Sequence, residues 1–168
     1  MPQHRNGFTL IEILIVMLII SIVAGVAAVT INTNQHKQFE ALARQLTNLI
    51  TLAEQEAILR PATLGLAFTP TSFQFYIYEH DNKTKQNIWQ TLSASAFQPH
   101  SLPSHTGITV KVNDKSMPIN GNPSIIINAS GDISPFVITI GKINEEPYYQ
   151  ITGKSNGEIT SDVIPAKE

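Results

Sequence analysis

The chain contains no cysteine, which excludes disulfides, thiolate metal centres and cysteine nucleophiles. Charge is scarce: Asp, Glu, Lys and Arg make up 14% of the 168 residues and the formal net charge is −2. No excess of positive charge therefore draws the chain as a whole to nucleic acid. From Glu12 to Lys37 no charged residue intervenes at all. Proline is missing between Pro2 and Pro61, so nothing in that stretch forbids one continuous helix from Phe8 to Arg60. Glycine-rich phosphate loops and the G-x-S-x-G, H-E-x-x-H and EF-hand spacings are absent. The histidines (His4, His36, His80, His100 and His105) are scattered without ligand spacing. These absences lead us to expect no catalytic residue, no metal, no cofactor and no enzyme activity.

What the chain does have is a long apolar run. Ile13 to Ile31 is interrupted only by Ser21, Gly25 and Thr30, close to the 20 or so apolar residues that cross a bilayer as a helix. In lipid a helix satisfies its own backbone, which overrides the β-propensity of the many Ile and Val residues. The short leading flank carries Arg5 and His4, which predicts a cytoplasmic N-terminus and an outer location for the rest. A cleavable secretory signal would be shorter and would end at small residues; a plain signal anchor leaves Gly7 and Glu12 unexplained. A third reading is cleavage at Gly7–Phe8, ahead of the run, which keeps the helix as the new N-terminus.

Glu12 is the anomaly, a carboxylate at the leading edge of an apolar helix. Thr9 and Glu12 fit the S/T-x-x-E capping box, in which each side chain satisfies a free N–H at a helix start. The positive end of the helix dipole also favours a carboxylate there. These local effects reduce a burial cost of roughly 2.5–3.5 kcal/mol for a charged group at the centre of a membrane helix, a cost that falls toward its ends. An intramembrane carboxylate usually has a partner as well, and cleavage after Gly7 would create a free amine on Phe8.

The run "GFTLIE" followed by an apolar helix closely resembles the class III signal of type IV pilins and type II secretion pseudopilins. The resemblance implies that a prepilin peptidase cuts between Gly7 and Phe8 on the cytoplasmic side and methylates the amine of Phe8. It implies an assembly role for Glu12, which meets the N-terminal amine of a neighbouring subunit; the capping role of Thr9 keeps a purely local role for Glu12 open.

Beyond the run, Phe39, Leu42, Leu46, Leu49, Ala53 and Ala57 recur at steps of three or four, with Ile50 and Ile58 widening the stripe. This is the core face of a helix that carries a sheet. Glu40 and Arg44 form an i,i+4 pair in the favourable order, and Pro61 ends the helix. From Thr63 the period changes to two. "TLGLAF" and "FQFYIYE" about "TPTS" predict a hairpin. The polar stretch from Glu79 to Gly107 predicts an exposed, mobile loop with a short strand at Ile88–Leu92. Further strands are expected at Ile108–Val112, Ser124–Asn128, Phe136–Ile140, Tyr148–Thr152 and Glu158–Ser161, the last two as a hairpin. The acidic residues of the turns, the Glu145–Glu146 pair among them, are expected to be solvated.

The fold class expected is therefore α+β: a long N-terminal helix, membrane-spanning in its first half, packed on an antiparallel β-sandwich-like domain of pilin type. The expected divisions are 1–7 leader peptide, 8–31 transmembrane and assembly half of the helix, 32–60 amphipathic half, and 61–168 periplasmic β-rich domain. "LGLAF…FQFYIY…W", "SIIINASGDISPFVITI" and the closing hairpin with its late glycine resemble the H-type minor pseudopilins, the GspH family. That resemblance implies an inner-membrane subunit near the tip of a periplasmic pseudopilus. Its partners would be other minor pseudopilins, the major pseudopilin, the prepilin peptidase, the inner membrane and secreted cargo. The alternative is a type IV pilus minor pilin of the FimT/FimU kind, some of which bind DNA. Past the cleavage site the only arginines are Arg44 and Arg60, and Lys83 with Lys85 is the only tight basic pair outside the helix, so nucleic acid is not an expected partner.

Overall fold

The structure is a computed structural model that describes residues 9–83 and 85–165, and within residues 26–35 the backbone but not the side chains. Helix α1 runs Leu10–Leu59. Ten strands follow: β1 Thr63–Phe68, β2 Ser72–Asp81, β3 Gln86–Thr91, β4 His100–Ser101, β5 Thr106–Val112, β6 Lys115–Met117, β7 Pro123–Ile127, β8 Phe136–Lys142, β9 Pro147–Gly153 and β10 Ile159–Val163, with a 3-10 turn at Ser95–Phe97. The chain divides into two compact units, Met1–Lys37 and Gln38–Glu168.

In the second unit the strands form two antiparallel sheets. One has the order β3-β2-β1-β7, with β4 also on β2; the other runs β10-β9-β8-β5-β6. The expected α+β, pilin-like arrangement is what forms. Inward residues alternate along β5 (Ile108, Val110, Val112) and β8 (Phe136, Ile138, Ile140), as a sheet covered on one face requires. They meet Phe68, Phe73, Phe75, Ile125 and Ile127 of the first sheet and Leu46, Ile50, Ala53 and Ala57 of the helix in one continuous core.

The helix stripe lies on its expected line: Phe39, Leu42, Leu46, Ala53 and Ala57 are buried, and the flanking positions are what differ. Ile50 and Ala43 are fully buried, Leu49 only half, and Ile58 is 49% exposed. The turn at Gly131 meets the helix beside Ile58: a Cβ built there would lie 3.0 Å from Ile58 Cδ1. A second turn meets Glu54. Gly157 has φ +84° and a Cβ there would collide with Glu54 Oε1, so this position needs glycine on both conformational and steric grounds. Helix α1 stops at Leu59, ahead of Pro61, with the Ala62 N–H donating to Ala57 O at 3.3 Å.

The β1–β2 hairpin forms with Leu66 opposite Phe75. Its loop is closed by Thr69, whose N–H donates to Ser72 O at 2.8 Å and whose Oγ1 accepts the Ser72 N–H at 3.0 Å. β1 reads "TLGLAF" without alternation because both its faces are covered. On the outer one, Trp89 reaches across β2 to lie over Gly65, where a Cβ would stand 2.8 Å from the ring.

The segment after Glu79 contains the short strand expected at Ile88–Leu92, as β3, but carries more structure than the loop expected around it. β3 pairs with β2 from Asp81↔Gln86 to Tyr76↔Thr91, and β4 pairs with β2 at Ser72 and Phe73. Leu92 and Phe97 are buried, Phe97 5.1 Å from Phe75 between ring centroids. Two apolar anchors thus turn a polar, proline-bearing stretch into part of the domain. Sequence reasoning also missed β6, three residues closed on β5 by a turn in which Asn113 and Asp114 both have positive φ.

Candidate functional site

The expected processing and assembly site lies at the start of the chain. Gly7 and Phe8 lie outside the described residues. Thr9 and Glu12 lie within them. α1 begins at Leu10, so Thr9 is its N-cap. The Thr9 carbonyl accepts the N–H groups of Glu12 at 3.1 Å and Ile13 at 3.3 Å, and its Oγ1 accepts the Glu12 N–H at 3.4 Å. That is the forward half of a capping box, and its long side-chain bond is the weaker of the two Thr9 contacts to that N–H. Glu12 stands in the first turn and is exposed. A carboxylate there opposes the positive helix end with its side chain free to reach outward.

Around it, Leu10, Ile11, Ile13, Leu14, Ile15, Val16, Met17, Leu18, Ile19, Ile20, Ile22 and Val23 are all exposed. A helix apolar on every face is built to be surrounded. Ser21, the polar residue in this stretch, returns its hydroxyl to Met17 O at 2.8 Å and so presents no unsatisfied donor. Among the described residues no helix is long and apolar enough to cross a membrane. The run expected to do so, Ile13–Ile31, extends into residues 26–35, whose side chains lie outside the description, as do residues 1–8 altogether.

Elsewhere the polar groups have structural employment. His100 stacks on Phe73 with ring centroids 5.0 Å apart and shares a 3.1 Å hydrogen bond with Gln45. His80 pairs with Asn87 at 3.1 Å. The helix pair is present, with Arg44 Nη2 donating to Glu40 Oε1 at 2.8 Å. Among the described residues no group of three His, Asp or Glu side chains could hold a metal ion.

One cluster went unread in the sequence. Glu145 does not simply face water: Lys142 Nζ and Tyr148 Oη both donate to its carboxylate, the latter at 2.9 Å. The bond from Lys142, with that from Tyr148 second, holds the Glu145 carboxyl below its ordinary value; the same contact raises Lys142 and Tyr148 above theirs. Tyr148 stacks on Phe39 of α1 at 5.7 Å, so the cluster ties the β8–β9 turn to the helix. Its only signal in the sequence is the spacing of three between Lys142, Glu145 and Tyr148.

Comparison with known proteins adds two matches. Residues 2–28 match the model described as a prokaryotic N-terminal methylation motif, and residues 42–157 match the model for the type II transport protein GspH. The type II secretion system protein H of Pseudomonas aeruginosa is 26% identical over 157 residues, covering 86% of this chain and 87% of that protein. The protein of the same name from Dickeya chrysanthemi is 22% identical over 175 residues, covering 94% of each. In fold, the chain is similar to the minor pseudopilin EpsH of the Vibrio cholerae type 2 secretion system, with a TM-score of 0.64 at 16% identity over 78% of this chain and 99% of that one. The solution structure of Escherichia coli GspH gives a TM-score of 0.59 at 15% identity, over 76% of this chain and 89% of that one.

Proposed function

The chain belongs to the GspH family, the minor pseudopilins of type II secretion, and from that premise we propose how its first twelve residues act. A prepilin peptidase removes residues 1–7 by cutting between Gly7 and Phe8 and methylates the new amine. The helix that remains is held in the inner membrane with its N-terminus cytoplasmic and its β-rich domain periplasmic. Assembly then moves the helix from lipid into contact with other helices, and Glu12 draws the incoming helix to its place by meeting the amine of a neighbour's Phe8. Other minor pseudopilins and the major pseudopilin are the partners, and the subunit works near the tip, supporting export of folded periplasmic proteins.

The observation that carries this reading is the match of residues 2–28 to the methylation motif, joined to an N-cap at Thr9 that places Glu12 in the first turn, exposed. A carboxylate held that way is reachable from outside the helix, and a carboxylate within an apolar span usually has a partner. The match to GspH and the secretion names of the relatives favour secretion over pilus biogenesis or DNA uptake.

Intact-mass measurement of the membrane-borne protein tests the first step. Loss of residues 1–7 and one added methyl on Phe8 are expected, and an intact N-terminus in cells with an active prepilin peptidase would refute it. Glu12→Ala tests the second: membrane insertion is retained and secretion is lost. Wild-type secretion by that variant removes the pairing role.

A further inference from the structure

The outer face of the second sheet is hollowed. Across β5, β8 and β9 its outward residues are Lys111, Val137 and Thr152 in one row, and Thr109, Thr139 and Gln150 in the next. Neither row carries an aromatic ring. Beyond them Gly107 pairs with Gly141, and the absence of side chains there lets the β8–β9 turn fold down onto the sheet. A Cβ at Gly141 would stand 2.8 Å from Pro147 Cα, and one at Gly107 3.2 Å from the Lys142 carbonyl oxygen. The turn thereby walls a hollow of about 480 Å³ over Thr109, Lys111, Val137, Thr139 and Gln150. A second hollow, of about 590 Å³, continues past Lys111 and Val137, which line both, toward Asp114.

The polar side chains of the first hollow have protons left to donate. Thr109 and Thr139 share a hydroxyl bond of 2.6 Å, which uses one of their two protons and leaves the other. Gln150 gives one amide proton to Thr152 Oγ1 at 3.2 Å and keeps one. Of the lysines at this face, Lys142 is tied to Glu145 and Lys154 to Glu158. Lys111 is exposed and has no ion-pair partner among the described residues. Since Lys142 and Glu145 cancel, Lys111 leaves the first hollow positive, and Asp114 lines only the second.

We propose that this trough takes an extended peptide segment of a partner protein, with an acidic side chain of that segment seated in the first hollow on Lys111. Lys111 supplies the opposite charge, and the threonine pair and Gln150 supply a hydroxyl and an amide proton to the carboxylate. Val137, Pro147 and Ile143, the last 52% exposed, offer an apolar wall to the stem of the side chain. A small free anion would leave that wall uncovered, and a sugar would find no ring in either row to lie on. The two hollows follow the seven residues of β5, a length at about 3.3 Å per residue that fits an extended segment rather than a single group. Asp114 repels a second carboxylate, so the residue in the second hollow is neutral or basic. The site does not depend on the processing and assembly steps proposed above.

The test uses the full chain in uncharged detergent, with backbone and methyl NMR shifts followed during titration. The probes are two blocked heptapeptides, acetyl-Ser-Val-Thr-Xaa-Thr-Val-Ser-amide with Glu or Gln at the centre, and sodium acetate. Shifts should centre on Thr109, Lys111, Val137, Thr139 and Gln150. At low salt the Glu peptide should bind about fivefold more tightly than the Gln peptide, as one exposed ion pair allows. Lys111→Gln should erase that preference and keep the wild-type unfolding midpoint. Lys115→Gln, at an exposed lysine of β6 outside both hollows, should leave the preference intact. Equal binding of the two peptides, a preference that survives Lys111→Gln, shifts centred elsewhere, or no binding of either peptide at millimolar concentration overturns the proposal. So does acetate that moves the same resonances as strongly as the Glu peptide at equal concentration, because the hollow is then a small-anion site.

Discussion

Replacing Gly157 by alanine should destabilise the globular unit for two separable reasons. The first is conformational. Gly157 has φ +84°, and an L-residue in the left-handed region costs roughly 1–2 kcal/mol. The second is steric. The added methyl collides with Glu54 Oε1, but that atom is the far end of a jointed side chain, so it can swing aside for about 0.5–1 kcal/mol of off-rotamer cost. The total is about 1.5–3 kcal/mol. At roughly 3–6 °C per kcal/mol for a unit of this size, the midpoint should fall by about 5–18 °C. Trp89 is the only tryptophan, and its ring is pressed onto Gly65, so its fluorescence reports the loss of the fold in thermal unfolding of the full chain in detergent. Glu54→Ala combined with Gly157→Ala should recover the steric part alone. Gly157→Asn in the Glu54→Ala background should be milder than Gly157→Ala there, since Asn tolerates positive φ. A Gly157→Ala midpoint within a degree of the parent would refute both the left-handed turn and its contact with the helix. A loss fully erased by Glu54→Ala would refute the conformational share.

Leu46 is wholly buried where the helix meets both sheets, so Leu46→Ala should cost about 3–5 kcal/mol, read as a lower urea midpoint; Leu52→Ala, at a side chain 39% exposed, should cost far less. The Lys142–Glu145–Tyr148 cluster predicts a pH effect with a definite sign. The Glu145 carboxyl is depressed below its ordinary 4.5, so its contribution is present above that value and fades as pH falls through the depressed one. Lys142 is raised above its ordinary 10.5, so the contribution persists below 10.5 and is lost as pH rises through the raised value. Glu145→Gln should therefore narrow its stability gap to the parent at both extremes, in melting curves taken across pH at low salt.

Much of this architecture was legible because the sequence changes period where the structure changes element. The three- and four-residue spacing from Phe39 to Ala57 and the alternation from Phe73 to Ile77 each reflect one covered face. The processing motif was legible for another reason: its meaning is carried by residue order. What failed depends on contacts between distant residues. The turns at Gly131 and Gly157 come against Ile58 and Glu54 of the helix, and no local pattern announces where those turns land. Beyond the expected short strand, the stretch to β4 looked like a loop since its polar composition hid the anchor Phe97. Glu145 is exposed on its turn as expected, but the two donors that reach its carboxylate from either side of that turn were not foreseen.

The seating of α1 in the core has a mechanical consequence. From Phe39 to Ala57 the helix is gripped along one side by both sheets, a length of about 27 Å at 1.5 Å per residue. A subunit driven along its helix axis receives the load through that helix. The load then passes into the domain in shear, spread over many side chains that would all have to slip together.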